Sequence, residues 1–164
     1  MEIGTKMQDA INNQIKAELD SAYIYLAMSA YLESLALPGM ARWMKVQSQE
    51  ELSHALKFYG HIIERGGRVV LQGLETPPLE YANPTEVFEK ALDHERYITN
   101  RIHDLYGLAM GEKDYASLGL LQWFVDAQVE EEAHVGQIVE TLRRVGDKGQ
   151  ALVMLDHQLG ARGD

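Results

Sequence analysis

Four long stretches of the chain repeat apolar residues at three- and four-residue spacing, and each stripe is interrupted near its middle by a glutamate. The first stripe reads Met7, Ile11, Gln14, Glu18, Ala22, Tyr25, Ser29, Leu32. The second reads Met40, Met44, Gln47, Glu51, His54, Phe58, Ile62. The third is Phe88, Ala91, Glu95, Ile98, Ile102, Leu105, Ala109, and the fourth Leu121, Phe124, Gln128, Glu131, Val135, Ile138, Leu142, Val145. This periodicity predicts helices over about residues 5–36, 38–65, 84–111 and 114–145. A short fifth helix, about 148–159, carries Ala151, Leu152, Leu155 and Leu159 on one side. Strand-like alternation is almost absent, so the chain reads as all-α.

The connections set the topology. "LPG" breaks the first helix, and Pro38 suits the first turn of the second. Gly66-Gly67 stops the second helix. Asn83, Pro84 and Glu86 open the third with an N-cap and a capping-box glutamate. Short joints make the first and second helices, and the third and fourth, antiparallel neighbours. Between these pairs lies the stretch "GRVVLQGLETPPLEYAN". Extended at ~3.3 Å per residue it reaches about 55 Å, beyond the roughly 40 Å length of the second helix. It can therefore cross the whole bundle, which predicts a four-helix bundle with one long crossover.

A chain of 164 residues is long enough for one buried core, and we expect a single domain over 1–164. No apolar run approaches the ~18 residues of a membrane span, and the start of the sequence lacks a signal pattern, so a cytoplasmic protein with no membrane partner is expected. With no cysteine, disulfides and thiolate metal sites are excluded. The formal net charge of −10 disfavours nucleic acid as a partner and suits a cation.

Glu18, Glu51, Glu95 and Glu131 each lie near the middle of a helix, so antiparallel packing brings them to one layer. Burying even one uncompensated charge costs several kcal/mol, and no lysine or arginine stands in register on these faces. Divalent cations answer this better than protonation. Glu51 and His54, at i and i+3, present a carboxylate and an imidazole one turn apart, a donor set that favours iron or manganese over calcium. Glu131 and His134 repeat the spacing, although Val135 also fits the fourth stripe and His134 then only flanks it. Together the residues match a dinuclear carboxylate site. Tyr25 lies two turns beyond Glu18, where it is either core or a donor of a hydrogen bond or an electron. Gln128 is one turn before Glu131, either contacting a metal-bound oxygen species or filling space. Glu50 and Glu130 sit one position off their stripes, as an outer metal stop or as solvated charges. The other histidines form no convincing constellation.

With these residues in hand, the sequence resembles a non-haem ferritin of the archaeal and bacterial type. The resemblance runs from "NNQIKAELDSAYIYLAMSAY" through "QEELSHALKFYGHIIERGGRV" and "QWFVDAQVEEE" to the fifth helix. It implies a hollow 24-subunit cage whose ferroxidase centre oxidises Fe(II) with O2 or hydrogen peroxide and stores ferric mineral. By position, it implies that Glu18, Glu51 and His54 hold one iron. Glu51, Glu95 and Glu131 then hold the second, with Gln128 beside it and Tyr25 nearby. Glu50 and Glu130 match ligands of a third, outer iron site.

Two departures bear on this. The outer site usually has a glutamate immediately before the glutamine, and here that residue is Ala127. His134 is unusual in this branch, and the resemblance to di-iron proteins that have histidine there implies a hybrid centre with His134 as a terminal ligand to the second iron. Leu52 replaces the methionine through which bacterioferritins bind haem, so no haem is expected. Glu112 and Asp114 are candidate pore acids. Two other readings stand beside storage: a di-iron or di-manganese oxidase or peroxidase that stores nothing, and a shell with a vestigial centre.

Overall fold

The computed structural model describes residues 1–163. It has five helices: α1 (Thr5–Ser34), α2 (Pro38–Glu64), α3 (Pro84–Gly111), α4 (Tyr115–Val145) and α5 (Gly149–Leu159). Each starts and stops within two residues of the sequence expectation. α1 packs along α2 and α3 along α4, the two hairpins meet through α1 and α3, and α5 lies against α2 and the end of α4.

Local chemistry explains the boundaries. Pro38 occupies the first turn of α2 and Pro84 that of α3. At α3, Asn83 Oδ1 accepts from the Glu86 amide at 2.8 Å. The Glu86 carboxylate reaches back to the Ala82 amide, one residue before the cap, so the capping box closes one position early. α1, α2 and α3 all end with the same bond pair, seen in α1 as Leu37 N–H to Leu32 O and Ala36 N–H to Glu33 O. The residue that must turn left-handed is glycine only in α2, at Gly66; α1 uses Ala36 at φ 58° and α3 uses Lys113 at φ 55°.

The crossover follows α1 and is pinned by successive α1 side chains. Gln8 accepts from the Arg68 amide at 2.9 Å, and Asn12 bonds both Arg68 O and the Val70 amide. Asp20 accepts from the Glu75 amide, and Tyr31 donates to Tyr81 O. These contacts satisfy an irregular backbone that has no ladder of its own.

The interior divides in two. One apolar cluster includes Tyr25, Met28, Leu32, Met40, Met44, Phe88, Val135 and Leu142, and Leu152 and Leu155 of α5 join it. The other includes Met7, Ile11, Phe58, Ile62, Ile98, Ile102, Leu121 and Phe124, with Phe58 and Phe124 stacked at 4.1 Å. Polar side chains fill the layer between them: Gln14, Glu18, Ser21, Gln47, Glu51, His54, Glu95 and Gln128 are all buried.

α5 is set by a close backbone crossing. A Cβ on Gly39 would stand 1.8 Å from Asp156 O, and one on Gly160 would stand 2.9 Å from Gly39 Cα. Asp156 Oδ1 accepts from the Met40 amide at 2.8 Å. α2 has no side-chain cap of its own at Leu37, so α5 supplies the acceptor that its first turn lacks.

Candidate metal centre

One face from each of the four long helices meets in the polar layer, because a carboxylate at a stripe position must point where a leucine would. Glu18 and Glu51 are 0% and 2% exposed, and Glu95 is 1% exposed. Glu131 is half-buried and opens toward the surface. One ligand atom from each of Glu18, Glu51 and His54 lies within 4.8 Å of the other two. Glu18 Oε2 is buried with no hydrogen-bond partner among the described residues. An orphaned carboxylate oxygen beside a second carboxylate and an imidazole fits a divalent cation of the borderline, iron or manganese kind.

Most of the other carboxylate oxygens are held by donors. Gln14 Nε2 donates to Glu18 Oε1 at 2.8 Å. Gln47 Nε2 donates to both Glu51 Oε1 at 2.9 Å and Glu131 Oε2 at 3.0 Å, bridging α2 and α4. Gln128 Nε2 donates to Glu95 Oε2 and Glu95 O, each at 3.1 Å, and the Tyr25 hydroxyl donates to Glu95 Oε1. His54 Nδ1 stands 3.1 Å from Glu51 Oε2.

Electrostatics follow from this crowding. Burial first, and the Glu51 charge second, push the Glu18 and Glu95 carboxyls well above the usual range. Glu131 is raised for the same two reasons. Burial also works against charge on Glu51 and His54, but their mutual pairing prevails: Glu51 is lowered and His54 raised. Burial and the Glu95 charge push the Tyr25 hydroxyl well above its ordinary value, so it stays a donor.

A pocket of about 670 Å³ opens from this layer between α2 and α4. Glu50, His54, Ala127, Glu130, Glu131, His134 and Arg162 are among its walls. Glu130 and His134 are exposed there. His134 stands outside the close Glu18–Glu51–His54 group, because Val135, one residue on, is the side chain that α4 turns into the core. Asp114 is committed elsewhere: Arg65 pairs with it at 2.8 Å, and it caps α4 through the Ser117 amide. Glu112 pairs with Lys6.

The structure adds residues that the stripes do not reveal. Arg101 Nε donates to Gln14 Oε1 at 3.0 Å, and an Arg162 guanidinium nitrogen donates to Gln47 Oε1 at 3.0 Å. Each arginine thereby turns a glutamine amide so that its NH2 faces a carboxylate. His94 lies 2.7 Å from Ser21 Oγ and edge-on to the Tyr25 ring. Gln14 and Gln47 were visible as polar interruptions of their stripes, but no sequence spacing links them to Arg101 or Arg162.

Two antiparallel helix pairs, one long crossover and a carboxylate layer between two apolar cores define a carboxylate-centred helical bundle. The chain belongs to the ferritin family: the ferritin-like domain model matches residues 8–145. It is 43% identical over 160 residues to a bacterial non-heme ferritin of Bacteroides fragilis, covering 98% of this chain and 99% of the relative. A bacterial non-heme ferritin of Staphylococcus aureus is 33% identical over 160 residues, covering 98% of this chain and 96% of that one. The crystal structure of an open pore ferritin from the hyperthermophilic archaeon Archaeoglobus fulgidus superposes with a TM-score of 0.97 at 49% identity. That match covers 99% of this chain and 100% of the other. Among the described residues, no helix is long and apolar enough to cross a membrane.

Proposed function

We propose that this protein is a cytoplasmic iron store and ferroxidase, oxidising Fe(II) with O2 or hydrogen peroxide and retaining ferric mineral inside a homo-oligomeric cage of 24 chains. The observation that carries the reading is the buried Glu18–Glu51–His54 group with an orphaned Glu18 oxygen, set in a chain of the ferritin family. Glu18, Glu51 and His54 take one Fe(II) as substrate. Glu51, Glu95 and Glu131 take a second, so that Glu51 serves both.

The chain's own residues prepare this. Carboxylates neutralise the incoming charge and favour the ferric state, since a higher charge gains more from the same anions. Two irons held together supply two electrons to one oxidant. The amides of Gln14, Gln47 and Gln128 donate to carboxylate oxygens of the layer, Gln47 to two of them, and hold these side chains in place for metal. The Tyr25 hydroxyl donates to Glu95 and orients its carboxylate. The excess of acidic residues steers cations toward the particle.

The test is aerobic loading of the apoprotein with excess Fe(II), followed by size-exclusion chromatography and iron analysis of the protein peak. Far more than two irons per chain in a large particle is the expected result. About two per chain would instead indicate an oxidase that stores nothing, and none would remove the metal centre altogether.

A further inference from the structure

The segment that follows α5 returns to the mouth of the centre. Arg162 lies over the Trp43 ring, with its guanidinium carbon 4.4 Å from the ring centroid, and donates to Trp43 O at 3.2 Å. The same guanidinium pairs with Glu50 Oε2 at 2.7 Å and donates to Gln47 Oε1 at 3.0 Å. Its side chain is only 20% exposed. An arginine bound this fully to one spot acts as a fixed point charge rather than a solvated one. The spot is the wall of the pocket that Glu131 and His54 also line, with Glu130 and Ala127 among its other walls.

We propose that Arg162 is a tethered cation that closes the pocket side of the metal centre. It holds the place beside Glu50 that a metal ion leaving the centre would take. Through Gln47 it also aims the amide NH2 at Glu51 and Glu131 and keeps both carboxylates directed inward. The inference rests on the reading of Glu18, Glu51, His54, Glu95 and Glu131 as a cation centre. It assigns to residue 162 a role in positioning and in cation exit, not in the redox step.

The chemistry favours this over simple anchoring. A partly exposed ion pair contributes little to stability, so the Glu50 pair is a weak fastener. As a charge, however, it occupies Glu50 in the pocket wall, and a metal ion there must first displace it. Ala127 adds no carboxylate to assist.

Tb(III) luminescence in the assembled apoprotein tests the proposal, because Trp43 and Trp123 both line the pocket and sensitise an ion bound there. Arg162→Met keeps the packing on Trp43 and removes the charge. It should lower the half-saturating Tb(III) concentration roughly tenfold, a modest share of a unit charge at contact distance. Arg162→Lys should titrate like the unmodified protein. Arg162→Met combined with Glu50→Ala should lose the gain. Equal titration of R162M and the unmodified protein would overturn the proposal, as would a gain that survives the Glu50 change. Zn(II) calorimetry on the same proteins, with Glu51→Gln as the control, reports the inner centre separately. Absence of Zn(II) uptake in the unmodified protein would therefore condemn the centre and not the role given to Arg162 at Glu50. Unchanged melting temperature and particle size in R162M exclude detachment of α5 as the cause of a gain.

Discussion

The Tyr25 hydroxyl donates to Glu95 Oε1, and Gln128 Nε2 holds the other oxygen of the same carboxylate at 3.1 Å. Both residues belong to the stripes of their helices and are buried, Tyr25 within the first apolar cluster, yet each turns its polar end to the same carboxylate. Together they stabilise the ionised form of a carboxyl that burial and the Glu51 charge push upward. Removing the hydroxyl takes away a donor to the charged form, so Tyr25→Phe should raise the Glu95 pKa further. A metal ion must then displace a proton that is held more tightly. Zn(II) affinity of Y25F should fall more at pH 6 than at pH 8, measured by calorimetry at both. An equal loss at both pH values would mean that Tyr25 acts only through packing.

The apoprotein should lose stability as the pH rises out of the acid range. Glu18 and Glu95 have folded-state pKa values above those of the unfolded chain. The folded state therefore holds the extra protons, and stability falls as pH climbs from the ordinary carboxylate range through the raised values. Glu51 is shifted the other way and opposes part of this slope. Glu18→Gln removes one of the raised groups. It should flatten the slope and stabilise the apoprotein at neutral pH by on the order of 1 kcal/mol. The same change should abolish the extra stability conferred by Zn(II). Chemical unfolding of both proteins at pH 5 and pH 7.5, with and without Zn(II), checks both parts.

The stripes disclosed the four glutamates because each takes a core position on its own helix, and period alone fixes which way such a side chain points. They also disclosed that His134 competes with Val135. A step of one residue rotates a side chain by about 100°, and α4 buries the valine. Arg101, Arg162 and His94 were not legible. Arg101 reaches across from α3 to Gln14 on α1, and Arg162 depends on where α5 docks, so both are products of packing between elements. The crossover was legible as long enough to span the bundle, but its attachment to Gln8, Asn12, Asp20 and Tyr31 was not. Those contacts use polar side chains whose spacing carries no signal of its own.

Two helix ends carry avoidable strain. Ala36 and Lys113 occupy left-handed backbone at φ 58° and 55°, a conformation that a Cβ disfavours by roughly 1 kcal/mol or more. Both close the same pair of backbone bonds that Gly66 closes at the end of α2. Ala36→Gly and Lys113→Gly should therefore each stabilise the chain, by about 0.5–1 kcal/mol after the added freedom of glycine in the unfolded state is subtracted. Glycine in mid-helix does the opposite, so a destabilised A36G or K113G in chemical denaturation would show that these residues contribute contacts outweighing the strain.

The approach of α5 to α2 leaves no room at Gly39. A Cβ there would stand 1.8 Å from Asp156 O and 2.6 Å from Asp156 C, and backbone cannot swing aside as a side chain can. Gly39→Ala should push α5 away and break the bond from the Met40 amide to Asp156 Oδ1. Asp156→Ala removes that acceptor without the clash and should cost about 1 kcal/mol, the usual value of a helix cap. G39A should cost more than D156A, because Leu152 and Leu155 lose their seat in the first core cluster as well. Hydrogen exchange separates the two variants. D156A should speed exchange at the first turn of α2, whereas G39A should also release the amides of α5. It should bring the same Tb(III) gain as loss of the Arg162 charge, because Arg162 reaches Glu50 only while α5 is docked. An α5 that stays protected in G39A would show that the crossing can widen without letting go.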